Sequence, residues 1–347
     1  MKVIAIGDPH FRTDNIPEVE LFMDRLEQLA KTEKPDLIVI LGDVLHTHER
    51  LHTIPLNKAY ELVNRMRKIS KTYILVGNHD FIQNAQYLTT NHWMNGMKEW
   101  TNVVVVDKVT ACTIQEITLV FCPYVPPGRF HDALTTLTST DWKTANCIFA
   151  HQEFYGCKMG AVVSVDGDRW SDNFPPVVSG HIHSRQSLPN IYYCGSSMQN
   201  AFGESETNII PILTWEQPGP YSLREIDLEL PRKRIVYTDV QSVADYKIPE
   251  QSEDKIKITL SGLYDEFKAF KKTKKYRELV DSGTKVVFKP KKIEVTEENV
   301  PVEPVDDTDF HRILLELVGK ERNTYLYQAF ELVVNNKIVE EEDILFL

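Results

Sequence analysis

The sequence predicts an α/β fold built on a parallel sheet, and three observations carry that prediction. Over the first 80 residues, short apolar runs alternate with amphipathic helical stretches in the order β-α-β-α-β. Each of those runs stops at a glycine and is followed within a few residues by a carboxylate, an imidazole or an amide. With 42% hydrophobic residues, the 347-residue chain can bury a sizeable core and has room for two domains and a small appendage.

The elements follow in order. Residues 2–6 read as a buried strand, and Gly7-Asp8-Pro9-His10 comes next; a bend at Pro9 lets Asp8 and His10 both turn inward. Val19, Phe22, Leu26 and Leu29 stand at helical spacing, so Glu18 to Lys31 is an amphipathic crossover helix that Pro35-Asp36 breaks. Leu37 to Leu41 is a second buried strand, closed by Gly42-Asp43. Leu56, Tyr60, Val63 and Met66 mark a helix from about Ile54 to Ile69. The third strand, Tyr73 to Val76, ends in Gly77-Asn78-His79-Asp80. Those polar groups read either as a chance turn or as the lining of a polar pocket at the carboxyl edge of the sheet, where open α/β folds place their ligands.

Asn91 to Trp100 is rich in large apolar residues and reads as a core helix, with packing against a second copy of the chain as the alternative. Strand-like runs follow at Val103–Val106 and Ile117–Cys122, and Phe130 to Leu137 reads as helix. Cys147 to Ala150 is a further buried strand ending at His151. Phe174 to Gly180 leads into His181-Ile182-His183, whose i, i+2 spacing lets one backbone segment ligate two neighbouring ions. Five strand ends thus carry candidate ligands, all oxygen or nitrogen and none sulfur. Such a set suits divalent manganese, iron or zinc, with one Asp able to bridge two ions.

Composition excludes several other classes. No stretch approaches the roughly 20 apolar residues of a membrane helix. The N-terminus runs straight into a strand with no cleavage signature, which argues against a secretory peptide. The five cysteines are scattered with no C-x-x-C pair, an expectation of reduced thiols and an intracellular setting: cytoplasm, nucleoid or a viral replication site. The formal net charge of -11 opposes a nucleic-acid partner unless basic residues are segregated.

The ordered set Asp8-x-His10, Gly42-Asp43, Gly77-Asn78-His79-Asp80, His151 and Gly180-His181-x-His183 resembles the calcineurin-like metallophosphoesterases over about residues 1–215. Gly42-Asp43-Val44-Leu45-His46, the insert after His151 and Gly195-Ser196-Ser197 resemble more closely the SbcD-type DNA double-strand-break repair nucleases. The resemblance implies a four-layer α/β/β/α core and a site with two divalent metal ions, manganese first among them. One ion would be held by Asp8, His10, Asp43 and His183, the other by Asp43, Asn78, His151 and His181. His79 would act on the scissile phosphate, Asp80 would orient it or another ligand, and His46, with His48 or His52, would face the substrate.

The remaining chain is read by charge. Segments at Ile209–Trp215 and Tyr221–Leu228 are strand-like and complete a phosphoesterase domain over 1–228. Residues 255–292 hold twelve Lys or Arg against four acids, about +8 in an acidic chain, and belong to a small α+β capping domain over 229–293. Its Lys271, Lys272, Lys274 and Lys275 are the candidate DNA contacts, with a solvated lysine-rich helix as the alternative. Residues 294–309 hold seven acids, two prolines and no Lys or Arg, the composition of a linker. Beyond it, Phe310–Val318 and Thr324–Val334 are amphipathic helical patterns in a C-terminal element, 310–347, that cannot bury a core alone. By the resemblance, this element would grip an SbcC-type, SMC-like ATPase, and the chain would act as a homodimer on DNA ends, hairpins or single strands.

Overall fold

Apolar runs this short and this continuous are buried on both faces, and the chain arranges them as two sheets stacked against each other. The computed structural model describes residues 1–48, 50–204, 207–247, 253–291, 307–320, 326 and 330. In chain order the elements are β1 (Lys2–Ile6), α1 (Ile16–Glu33), β2 (Leu37–Ile40), α2 (Thr53–Arg67), β3 (Lys71–Leu75), β4 (Val103–Val106), β5 (Thr110–Ile114) and β6 (Ile117–Cys122). There follow α3 (Phe130–Thr135), β7 (Cys147–His151), the hairpin of β8 (Lys158–Met159) and β9 (Val162–Val163), β10 (Val177–Gly180), β11 (Gln186–Leu188), β12 (Ile191–Tyr193), β13 (Ile209–Thr214) and β14 (Ser222–Asp227). A third group comprises β15 (Lys233–Asp239), β16 (Lys255–Gly262), α4 (Tyr264–Phe270), α5 (Lys274–Asp281) and β17 (Lys285–Pro290), and α6 spans Asp307–Lys320.

The first six-stranded sheet has the order β14-β13-β1-β2-β3-β4 and the second β11-β12-β10-β7-β6-β5. Alternation along each strand divides the core. Val3, Ala5, Val39, Leu41, Tyr73 and Leu75 face the second sheet and meet Leu119, Phe121, Phe149 and Val178. Tyr73 stacks on Phe121 at 4.1 Å between ring centroids. Their neighbours Ile4, Ile6, Ile38, Ile40 and Ile74 face outward onto α1 and α2. The outer face of the second sheet, with Val120, Ile148 and Val177, is covered by α3 and Trp142. The result is the four-layer α/β/β/α arrangement. The first 80 residues give the parallel strands expected of them, and later strands add antiparallel partners. β1 to β4 are parallel, but β13 returns antiparallel to β1, and β5 and β11 are antiparallel edges of the second sheet.

Trp93–Glu99 is a 3-10 helix whose Met94 and Met97 are fully buried in the same core as α1 and α2, which favours the core reading of this stretch. β15, β16 and β17 form a third sheet with its own small core of Val240, Val243, Ile258, Leu260, Phe270 and Leu279. Its strands are all parallel, with α4 and α5 in the crossover from β16 to β17, so the α+β expectation is corrected to an α/β arrangement. Residues 1–291 form one compact unit and 292–347 another. In the second unit α6 covers the first C-terminal helical pattern; residues 294–306 of the acidic stretch and nearly all of the second pattern lie outside the described residues. Among the described residues no helix is long and apolar enough to cross a membrane.

Candidate metal centre

Parallel strands end on a common edge, so the groups that follow them are delivered together. Asp8 and His10 follow β1, Asp43 follows β2, Asn78 follows β3, His151 ends β7, and His181 and His183 follow β10. Asp43 is at the middle of the cluster. Its Oδ2 lies 3.6 Å from His10 Nε2 and 3.4 Å from His151 Nε2. His10 Nε2 in turn faces His183 Nε2 at 2.9 Å. Asn78 Oδ1 lies 3.0 Å from His151 Nε2 and 2.8 Å from His181 Nδ1. Asp8 Oδ1 accepts from the His181 backbone N–H at 3.1 Å and lies 3.4 Å from His151 Nδ1. Asp8, His10, Asp43 and His151 are buried.

The backbone bends sharply to do this. Asp8, His10, Asp43 and His181 all have positive φ, at 27°, 47°, 48° and 76°. Side-chain-bearing residues rarely occupy that region, and those that do cluster at functional sites. The turn after β3 needs a glycine for a different reason. A Cβ on Gly77 would lie 2.2 Å from Asp43 Oδ1, so any side chain there would displace the central carboxylate.

Asp8 Oδ2 is buried and, among the described residues, has no hydrogen-bond partner. A carboxylate oxygen in that state is costly unless a cation meets it. Asp8, Asp43 and His151 offer ligand atoms all within 4.8 Å of one another, and so do His10, His46 and His79. The donors are carboxylate, amide oxygen and imidazole, which suits the borderline and hard divalent ions expected from the sequence. The residues present therefore fit a metal centre.

The family model for calcineurin-like phosphoesterases matches residues 1–185, the stretch that contains every one of these groups. The chain belongs to the calcineurin-like phosphoesterases. It is 48% identical over 279 residues to "Putative phosphoesterase 244L" of Invertebrate iridescent virus 6, covering 79% of this chain and 98% of the relative. It is 40% identical over 328 residues to "Putative phosphoesterase 078R" of Invertebrate iridescent virus 3, covering 93% of this chain and 92% of that one. Among solved structures, a dimetal phosphatase from Danio rerio is similar at 8% identity and a TM-score of 0.41, over 65% of this chain and 95% of that one. As a calcineurin-like phosphoesterase, the chain is a metal-dependent hydrolase of phosphoester bonds, in a family that works with two metal ions.

The electrostatics of this calcineurin-like site follow from burial and crowding. Burial pushes Asp8 up to about 6 against the pull of His151, and the nearby Asp43 charge adds to the rise. Burial acts on Asp43 in the same sense, but His151, His10 and His79 outweigh it and hold that carboxylate well below its usual range. Burial would lower His151, yet Asp43 and Asp8 hold it up at about 9. His181 falls to about 3 through burial and the neighbouring His151 charge. The carboxylates thus draw positive charge into the cluster, a demand that a bound cation meets. His151 Nδ1 donates to the Leu41 carbonyl at 2.7 Å, which turns its Nε2 toward Asp43 and Asn78.

His79 Nδ1 donates to the His46 carbonyl at 2.7 Å, and its backbone N–H donates to Asp43 Oδ1 at 2.8 Å. The contacts of Asp80 are to the backbone turn and to Trp93. Its carboxylate does not touch the His79 ring; it accepts from Gly77 N at 3.0 Å and Trp93 Nε1 at 2.8 Å, with Leu45 N at 3.5 Å. Asp80 therefore fastens the turn that carries Asn78 and His79. The His46 and His48 rings lie nearly parallel to His79, with centroids at 5.6 and 4.5 Å, whereas His52 is exposed at the start of α2. Lys271, Lys272, Lys274 and Lys275 lie at the turn from α4 to α5, and none hydrogen-bonds or ion-pairs with the cluster.

Two residues at the site escaped the sequence reading. Tyr124 is buried with its ring 5.6 Å from His181 and 6.2 Å from His151. It lies just beyond β6, so it obeys the same strand-end logic, but a tyrosine is not a ligand type the pattern would select. Glu204 places Oε1 3.4 Å from His183 Nδ1 while Oε2 accepts from the backbone N–H groups of Asn200 and Ala201. No local signal marks it.

Proposed function

We propose that this phosphoesterase is a two-metal DNA nuclease of the SbcD type, hydrolysing phosphodiester bonds in DNA end processing, recombination and repair. Asp8, His10, Asp43 and His183 would hold one ion and Asp43, Asn78, His151 and His181 the other, with manganese the expected metal. Bound there, the ions supply Lewis-acid polarisation of the phosphoryl oxygens and a nucleophilic water at neutral pH. The chain's own residues do the rest. Asp43, whose Oδ2 lies within 3.6 Å of nitrogens from both sets, would be the shared ligand. His79, its Nδ1 tied to the His46 carbonyl, keeps Nε2 for the substrate. Burial lowers its pKa, which makes its imidazolium a stronger acid, and the charge of an arriving phosphate favours that form. The imidazolium passes its Nε2 proton to the leaving alkoxide.

The observation that carries the DNA reading is segregated charge: a net acidic chain appends to its phosphoesterase core a third sheet, two strands of which, β16 and β17, lie in residues 255–292, a segment near +8. The helical C-terminal element, of which α6 exposes Ile313 and Leu317, suits an SbcC-type ATPase, and the two viral relatives suit a viral replication setting. A second reading, a phosphoesterase for nucleotides or phosphoproteins, has one feature in its favour. A groove of about 420 Å³ lies beside His181 and His183, of the size that holds a small molecule.

The deciding assay offers linear and hairpin DNA with several divalent ions, using Asp43→Ala as control. Cleavage that requires Asp43 supports the nuclease. Efficient hydrolysis of small phosphoesters with DNA left intact under every ion would give the site to the second reading. Undiminished capture of an SbcC-type ATPase by a chain lacking residues 305–347 would overturn the tail assignment.

A further inference from the structure

Next to the metal centre is a basic cavity of about 360 Å³ whose walls come from the first and third sheets' parts of the chain. Its lining includes Arg12, Asn200, Lys233, Lys255, Lys257 and Lys285. The four lysines converge by strand register. Lys233 pairs with Lys255 and Lys257 with Lys285, and positions 255 and 257 of β16 share a face. None of them belongs to the Lys271–Lys275 cluster, which the sequence made conspicuous by simple adjacency.

The acids on the rim do not neutralise this charge. Asp14 is 3.2 Å from Arg12 Nε, and Glu18 pairs with Lys255. Among the described residues Lys257 and Lys285 have no ion-pair partner. Lys233 is 8% exposed, and its Nζ donates to two backbone carbonyls, Gln199 at 2.5 Å and Asn200 at 3.1 Å, with no carboxylate among the described residues bonded to it. The charges of Glu18 and Glu204 reach this ammonium without bonding it, yet the lining still sets Arg12 and four lysines against Asp14 and Glu18, a surplus of positive charge that an anionic ligand would meet.

The cavity is physically joined to the cluster. Arg12 lies two residues beyond His10, a reach of at most about 7 Å of backbone. Asn200 Nδ2 donates to the Asp8 carbonyl at 3.4 Å. The Arg12 charge also reaches both His46 and Lys233, lowering each along with the larger effect of burial. Successive phosphates along one strand are spaced about 3.4 Å in axial rise. A strand with one phosphate at the ions would carry its neighbouring phosphates over the adjoining surface, on the side where Arg12 and the lysine face lie.

We infer that this cavity is a second phosphate subsite, holding a non-scissile backbone phosphate of the nucleic-acid strand whose scissile phosphate lies at the metal centre. The inference rests on the nuclease reading and deepens it. Lys257 and Lys285 are the free contacts, while Lys233 and Arg12 set the potential.

The test is binding of a fluorescent single-stranded oligonucleotide by the full-length, metal-free protein, followed by anisotropy across a salt series. The double reversal Lys257→Glu/Lys285→Glu is expected to weaken binding tenfold or more. It should also flatten the slope of log affinity against log salt by about 1.4, the loss of two contacts. Lys257→Gln/Lys285→Gln, which removes charge without reversing it, should flatten the slope similarly, and thermal melts check that both variants fold. Lys143→Glu, on another face, controls for net charge. Parent-like affinity and slope in the folded double variants would overturn the subsite. So would loss of tripolyphosphate binding in those variants with oligonucleotide binding intact, since that identifies a free polyphosphate site. The two readings fail distinguishably. DNA cleavage with indifferent lysines removes only the subsite, whereas lysine-dependent DNA binding with no cleavage under any ion removes the nuclease and with it the scissile phosphate, leaving the lysines as a nucleic-acid contact alone.

Discussion

His79 is left with one chemically free atom. Its backbone N–H is committed to Asp43 and its Nδ1 to the His46 carbonyl, so only Nε2 can meet a substrate. On the proposed role, His79→Ala lowers phosphodiester turnover by about 10²- to 10⁴-fold while calorimetry still records ion binding. Turnover equal to the parent's would end that assignment. Asp80 makes a different prediction, because burial and then the Asp43 charge raise it to about 7. Between 3.8 and about 7 the unfolded chain carries it ionised and the fold holds its proton. Its contribution to stability therefore falls as pH rises through that window. Asp80→Asn removes the titration. In chelator-treated protein, the stability of the variant minus that of the parent should rise with pH by up to about 1.4 kcal/mol per unit, read from urea unfolding. A flat difference would show that the carboxyl is ionised in the fold.

At the scale of elements, the strand ends were legible because their function and their position coincide: a buried apolar run followed by Gly and a ligand is both a strand signal and a site signal. β5, β8, β9 and β11 were not legible, being short, half-exposed or edge strands with little apolar pattern to set them apart from loops. The antiparallel return of β13 to β1 depends on tertiary placement, which periodicity does not encode. The turn after β3 yields the sharpest test at this scale. Gly77→Ala forces a Cβ to 2.2 Å from Asp43 Oδ1. Overpacking of this kind costs about 1–3 kcal/mol. Because that oxygen belongs to Asp43, the carboxylate proposed to serve both ions, ion affinity should fall together with the melting temperature. A variant that loses stability but keeps ion affinity would mean that the backbone, not Asp43, gives way.

For the whole molecule, two sheets contribute one cluster, so filling the site ties the two halves of the core together. Titrating manganese into chelator-treated protein should raise the melting temperature, each ion adding about 2.7 kcal/mol at a hundred times its dissociation constant. Asp43→Ala should abolish most of that response if both proposed sets use it; a full response in the variant would contradict the shared-ligand arrangement. Charge was legible in the sequence as a segment total but not as a surface. The run Lys271 to Lys275 stands out in the chain, whereas Lys233, Lys255, Lys257 and Lys285 are scattered over more than fifty positions and meet only through parallel register. Glu204 and Tyr124 likewise reach the ligands from distant segments.

The left-handed backbone at Asp8, His10, Asp43 and His181 has a consequence for how such a chain can decay. Glycine adopts that conformation freely, and a non-glycine residue held there costs of order 1–3 kcal/mol. Once hydrolysis is no longer selected, substitutions to glycine at these four positions relieve both the torsional strain and the crowding of buried charge, and drift should accumulate there first. Among descendants of this fold, a chain that keeps aspartate or histidine at all four is still resisting a stabilising change, and that resistance is a record of retained catalysis readable without an assay.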